Sequence, residues 1–131
     1  MSEQSCPCGS GHTYSACCGR FIDHGILPET AEQLMRSRYT AFTRANEPYL
    51  LATWHETTRP ESLDFDPEES MKWLGLRIDK VGEGGANDDR GLVCFVANWR
   101  VGGGRVQRLQ ECSRFVREQG RWFYVDGDVR A

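Results

Sequence analysis

The sequence predicts an α+β fold: a short cysteine-rich knuckle, then helices laid over one face of an antiparallel sheet. Three observations predict it. Four of the six cysteines crowd into residues 6–18. Apolar residues then recur at helical spacing as far as Gly75 and alternate beyond it. The alternating stretches are separated by glycine-rich turns of the kind that join neighbouring antiparallel strands. Helices first and a strand meander after them is the order that stacks helices on a sheet. At 131 residues, with 39% apolar and 27% charged side chains, the chain has the length of one domain with a small appendage.

The cysteine segment comes first: Cys6-Pro7-Cys8-Gly9-Ser10-Gly11, then Cys17-Cys18-Gly19. The start of the chain, Met1 to Cys6, has neither the basic residues nor the apolar run of a secretory signal. The expected compartment is therefore the cytoplasm, and its cysteines read as thiols before disulfides. Thiolates from Cys6, Cys8, Cys17 and Cys18 complete a tetrahedral zinc shell, which is the closed form of a structural site. Pro7 and the Gly9–Gly11 run supply the turns that bring Cys8 round the ion. A segment this short has no core of its own, and metal binding worth on the order of 10 kcal/mol folds it. Removing the metal should then melt residues 6–19 and leave the rest standing. Crossed disulfides suit secreted mini-proteins, and a redox pair would show a C-x-x-C motif. His12 and His24 add nitrogen donors, but four cysteines already close the shell.

The remaining elements follow in order. Thr30-Ala31-Glu32-Gln33 is a capping box, and Leu34, Met35, Tyr39, Ala41, Phe42 and Ala45 continue it as an amphipathic helix over 30–45. Asn46 caps a second helix with Pro48 in its first turn and Tyr49, Leu50 and Trp54 facing inward. Asp66-Pro67-Glu68-Glu69 predicts a third helix, carrying Met71, Trp73 and Leu74 and ending at Gly75. Strands are predicted over 76–81, 91–101, 105–117 and 121–126. A three-residue turn at Gly102–Gly104 would set Val101 opposite Arg105. Val93, Phe95, Ala97 and Trp99 then share the core face with Leu109, Glu111 and Ser113, and Phe115, Phe123 and Val125 extend it. The same register puts Cys94 opposite Cys112 on the other face, where they could bridge under oxidation and are expected as two free thiols in a reducing cell.

Glu111 is the anomaly of that face, because an acid among apolar residues must be paired, protonated or set in a cavity. Arg38 is its favoured partner, with Arg59 the other choice. Glu111, Arg38, Tyr39, Trp54 and His55 are the candidates for a ligand site between helices and sheet. No nucleophile–base pairing is visible, so no residue is assigned a catalytic role. Arg36, Arg38 and Arg44 on one helix otherwise read as a solvated face with salt bridges at its edge. A net charge of −3 and a pI near 5.6 argue against nucleic acid, and no apolar run has the length of a membrane helix. The glycine runs lack the strand–loop–helix setting and following lysine of a phosphate loop.

The string Cys6-Pro7-Cys8-Gly9-Ser10-Gly11 with Cys17-Cys18-Gly19 resembles the SEC-C motif, the zinc knuckle at the C-terminus of the SecA translocation ATPase. Leu34 to Phe42, Tyr49-Leu50, Thr53-Trp54-His55, Trp73 to Leu76, Ser113-Arg114-Phe115 and Trp122 to Gly127 resemble the YchJ family of small bacterial proteins. The resemblance implies a knuckle over 1–24 joined to a cone-shaped α+β domain over 25–131, similar to nuclear transport factor 2. It implies no reaction. SEC-C knuckles commonly carry lysines where this one has His12-Thr13-Tyr14-Ser15-Ala16, so a contact that needs a basic knuckle is not expected to carry over. The leading expectation is a zinc-stabilised adaptor whose knuckle docks on a protein partner. The alternative is a small-molecule binder or enzyme using the cavity near Glu111.

Overall fold

A computed structural model describes residues 5–63 and 71–130, with the side chains of Met71 and Arg130 set aside. Among the described residues three helices, α1 (Gly19–Ile22), α2 (Ala31–Thr43) and α3 (Glu47–Ala52), precede four strands. The strands are β1 (Met71–Glu83), β2 (Arg90–Val101), β3 (Gln107–Glu118) and β4 (Arg121–Arg130). They form one antiparallel sheet in the order β1-β2-β3-β4. The predicted α+β class holds. No helix among the described residues is long and apolar enough to cross a membrane.

Local chemistry accounts for the helix ends. Thr30 accepts the Gln33 N–H through Oγ1 at 3.1 Å, while Gln33 Oε1 accepts the Glu29 N–H at 2.7 Å. This is the predicted reciprocal cap, with its return bond one residue earlier than usual. Asn46 Oδ1 accepts the Tyr49 N–H at 3.2 Å and starts α3, as expected. The four-residue α1 follows Cys18 directly and has no periodic signal of its own. Beyond α3 the chain runs along β4: the His55 N–H reaches the Tyr124 carbonyl at 2.8 Å, and the Tyr124 N–H reaches Thr53 at 2.8 Å.

Two expectations need correction here. The start signal at Asp66–Glu69 lies outside the described residues, but from Met71 the chain is strand, not helix. Trp73, Leu76 and Ile78 face Trp99, Ala97 and Phe95 across the β1–β2 ladder, and register shifts at Leu74 and Asp79 disturb the alternation that would have revealed it. The second correction concerns β4. The turn at Gln119-Gly120 pairs Arg117 with Trp122 and Phe115 with Tyr124, so that Trp122 and Tyr124 pack inward instead of Phe123 and Val125, and a bulge at Val125 switches the faces only beyond them.

The β2–β3 register is the predicted one: Val93↔Ser113, Cys94↔Cys112, Phe95↔Glu111 and Ala97↔Leu109. Cys94 and Cys112 are nevertheless not free thiols. Their Cα atoms lie 3.9 Å apart and the sulfurs are joined in a disulfide on the outer face. Direct cross-strand opposition brings the two sulfurs within bonding reach, so the expectation drawn from compartment gives way to geometry.

One core runs through the molecule. It holds Leu34, Met35 and Tyr39 of α2, Val93, Phe95 and Ala97 of β2, Phe115 of β3 and Trp122 of β4. The four N-terminal cysteines belong to the same cluster. Trp122 also donates from Nε1 to the Glu29 carbonyl at 3.0 Å, which fixes β4 to the approach of α2.

Candidate functional site

The cysteine cluster is built by two small turns. The Cys6 N–H reaches the His12 carbonyl at 2.9 Å, the Gly9 N–H reaches Cys6 at 3.1 Å, and Ser5 pairs with Thr13. A second turn at Tyr14 receives the Cys17 and Gly19 N–H groups at 3.0 and 2.8 Å. Gly9 has φ +78° and lies so near β1 that a Cβ would stand 3.3 Å from the Leu76 carbonyl. Only glycine suits both its conformation and its distance.

These turns bring Cys6, Cys8, Cys17 and Cys18 together with all four sulfurs within 4.8 Å of one another. Cys8 and Cys17 are 3.6 Å apart and Cys17 and Cys18 4.0 Å. A four-coordinate ion bonded to sulfur at about 2.3 Å requires a sulfur–sulfur edge of about 3.8 Å. The donor set therefore fits a tetrahedral metal ion. His12 and His24 are exposed and do not belong to the group. The four cysteines are 0–7% exposed, and the charge of their sulfurs is met by neighbours that sequence reasoning had not assigned to them. Arg36 Nη1 lies 2.9 Å from the Cys8 carbonyl and 3.8 Å from its sulfur. Ser10 Oγ stands 3.2 Å from Cys17 Sγ, and Thr40 Oγ1 3.7 Å from Cys6 Sγ. A hydrogen bond from Cys18 pulls the Cys8 thiol down to about 4. Its partner Cys18 is pushed up by the same bond and by burial, and Cys17 is pushed up chiefly by burial. The proton bookkeeping is that of a cluster in which full ionisation requires a cation.

On the other side of α2 lies a cavity of about 230 Å³ between helices and sheet. Met35, Tyr39, Phe42, Trp73, Phe95, Ala97 and Leu109 line its apolar part, and Arg38, Glu111, Ser113, Trp54 and Tyr124 the remainder. Four of the five predicted ligand residues thus meet there: Arg38, Tyr39, Trp54 and Glu111. His55 does not. Its Nε2 faces Glu118 Oε1 at 2.9 Å and its Nδ1 faces Thr57 Oγ1 at 2.7 Å, in a separate open groove with Arg59 and Arg121.

The favoured Arg38–Glu111 ion pair is also absent among the described residues, as is the Arg59 alternative. Arg38 is 3% exposed rather than solvated, and Nη1 donates to the Leu50 carbonyl at 2.8 Å and to Thr53 Oγ1 at 2.7 Å. Its guanidinium lies over the Trp54 and Tyr124 rings at 5.0 and 4.6 Å. These contacts hold it away from the sheet acid. Burial pulls Arg38 down to about 10, which leaves it positive at neutral pH. Glu111 Oε2 instead accepts a 2.6 Å hydrogen bond from Ser113 Oγ. Gly127 makes room for this carboxyl, since a Cβ there would stand 2.8 Å from Glu111 Cδ. Arg44 stacks over Tyr14 at 3.8 Å and Arg36 pairs with Glu32 at 3.0 Å, so the helix arginines serve three different surroundings.

Comparison with known proteins agrees with this arrangement. Residues 4–20 match the family described as SEC-C motif, and residues 30–127 match that described as YchJ, middle NTF2-like domain. A UPF0225 protein of Chromobacterium violaceum is 49% identical over 98% of this chain and 96% of its own. One from Streptomyces avermitilis is 52% identical over 95% of this chain and 84% of its own. Among solved structures, a SEC-C motif containing protein from Rhodopseudomonas palustris superposes with a TM-score of 0.80 at 35% identity, covering 96% of this chain and 98% of that one. A second SEC-C protein, from Psychrobacter arcticus, gives a TM-score of 0.73 at 25% identity, covering 98% and 84%.

Proposed function

This chain belongs to the YchJ-like family of SEC-C motif proteins, and on that premise we propose that it is a zinc-stabilised small-molecule-binding protein whose working site is the cavity beneath α2. The observation that carries the reading is a cavity, mostly apolar, into which a buried cation and an acid are set without pairing with each other. Binding sites combine an apolar wall with a few fixed polar groups in this way. The ion at Cys6, Cys8, Cys17 and Cys18 is zinc in this reading, because buried all-sulfur tetrahedra select it and leave it no open position. Its role is structural. The compartment in this reading is the cytoplasm, where the four thiols remain available to metal and the Cys94–Cys112 bond would be one formed under oxidation.

Soluble indole, titrated into the zinc-loaded protein and followed by NMR, should shift resonances of Met35, Phe42 and Leu109. Ala97→Leu, which fills the wall, should abolish those shifts. Indole shifts that survive the filled wall, or that never appear, would refute the reading. Elemental analysis should give about one zinc per chain.

A second reading, docking of the knuckle on a protein partner, is favoured by the exposed stretch at Gly9, Gly11, His12, Ser15 and Ala16 beside the cluster. The sequence ranked it first. It stands second here because those exposed residues are small or polar and form no apolar patch, whereas the cavity has both shape and charge.

A further inference from the structure

Resting on the reading of the cavity as a ligand site, the arrangement of its two charges narrows the ligand class. Arg38 is fixed before any ligand arrives. Both hydrogens of Nη1 are engaged by Leu50 and Thr53, and two aromatic rings flank the guanidinium. Its Nε–H and Nη2–H groups meet no acceptor among the described residues. Glu111 is equally fixed, by Ser113 on one oxygen and by the space above Gly127, and its Oε1 receives no donor among the described residues. Each group faces the same cavity of about 230 Å³, and neither neutralises the other through an ion pair among the described residues.

Two opposite charges held apart in apolar surroundings each carry a desolvation cost that a direct pair would offset. A ligand bearing one charge would relieve one group and leave the other unpaired. A ligand bearing both would relieve both. We propose that the cavity accepts a zwitterion, an α-amino acid with a large apolar side chain, its carboxylate on Arg38 and its ammonium on Glu111. The guanidinium supplies the fork that a carboxylate fits. The apolar side chain lies among Met35, Tyr39, Phe42 and Trp73. Tyr39 and Phe42 pack against Trp73 at ring-centroid distances of 5.5 and 6.1 Å, which gives this end of the cavity a continuous aromatic wall. The volume lies below the roughly 300 Å³ at which drug-sized pockets begin, so the ligand is a single small metabolite and not a peptide or a lipid chain.

The test is calorimetry on the full-length, zinc-loaded protein with five probes: L-phenylalanine, L-leucine, 3-phenylpropionate, phenethylamine and indole. The amino acids should bind at least tenfold more tightly than the propionate, which lacks the ammonium, and than the amine, which lacks the carboxylate. Glu111→Gln should remove that advantage over the propionate while the thermal melt and the zinc content stay those of the parent protein, readouts that a misfolded variant would not preserve. If the amine binds as tightly as the amino acids, the site is an aromatic cage for organic cations and the proposal is overturned. If indole binds and neither amino acid does, the proposal is overturned while the cavity reading stands. If no probe binds, indole included, both are overturned together.

Discussion

The two sides of α2 handle polar groups in opposite ways. Toward the knuckle, Arg36 is shared between Glu32 and Cys8, Thr40 meets Cys6, and Ser37 links the Leu34 carbonyl to the Tyr49 hydroxyl. Toward the sheet, Arg38 keeps three N–H groups without an acceptor among the described residues, and Glu111 accepts a single hydrogen bond. Both sides bury charge. On one side the chain itself supplies the neutralising groups and a metal ion at the four cysteines would complete them; on the other the charges face a space. A closed polar network is a means of holding a fold together, and an open one is where a ligand gains affinity.

The largest break in this comparison comes from the metal. The cysteines share a core with Leu34, Tyr39 and Val93, so chelation should loosen α2 as well as residues 6–19. A loss on the order of 10 kcal/mol is expected, which is comparable to the whole of the roughly 5–15 kcal/mol that most domains possess. Thermal melts with and without chelator, together with amide exchange on α2, would measure it. An α2 that keeps its protection without metal would mean that the closed side is closed by the body alone.

Alkali should come next. Burial, the leading cause at each, pushes Tyr14, Tyr39, Tyr49 and Tyr124 up to about 12. These are all the tyrosines of the chain. Between the ordinary phenol value and about 12 the unfolded chain gives up protons that the folded one keeps, so stability should fall as pH rises through that window. Phenolate absorbance should show the titration delayed beyond pH 10 in the native protein. Ligand should delay Tyr39 and Tyr124, which line the cavity, more than Tyr14.

Smaller effects separate the two sides residue by residue. Arg36→Gln removes the cation beside Cys8 and should cost about 1–3 kcal/mol, with metal affinity falling roughly 10- to 100-fold. Competition with a chromogenic chelator would read the second figure. Glu111→Gln, on the open side, should change stability by less than about 1 kcal/mol, because a half-buried carboxylate without a counter-ion has little to lose on neutralisation. Denaturant melts of the two variants side by side would show whether closed and open are the right words.

Much of this was legible in the sequence where one kind of signal acted alone. The spacing of Cys6, Cys8, Cys17 and Cys18 picked out the four cysteines that the fold brings together, and Gly102–Gly104 fixed the β2–β3 register down to Cys94 opposite Cys112. Signals failed where two competed. Asp66-Pro67 is a strong local start, but pairing along β2 claims Met71 onward, and tertiary contacts override propensity. The turn at Gln119-Gly120 sets Tyr124 opposite Phe115, and alternation alone cannot choose between two faces that differ by a one-residue step. Arg38 could not be told from Arg36 or Arg44 by residue type. Only the placement of Trp54 and Tyr124, brought together by the crossing of the chain after α3 onto β4, makes it a buried cation.

The burial of α2 has a consequence for how such a protein can change over generations. None of its thirteen residues is fully exposed, and eight are buried. An ordinary surface helix has an outward stripe on which substitutions accumulate freely. This one has none to offer, because cysteines press on one side and the sheet and cavity on the other. A library of every single substitution should therefore show an unbroken band of intolerance from Leu34 to Ala41, where most helices show a stripe. Shifts of ligand preference would then arise chiefly from the cavity positions on the strands, with α2 as the fixed member of the pair.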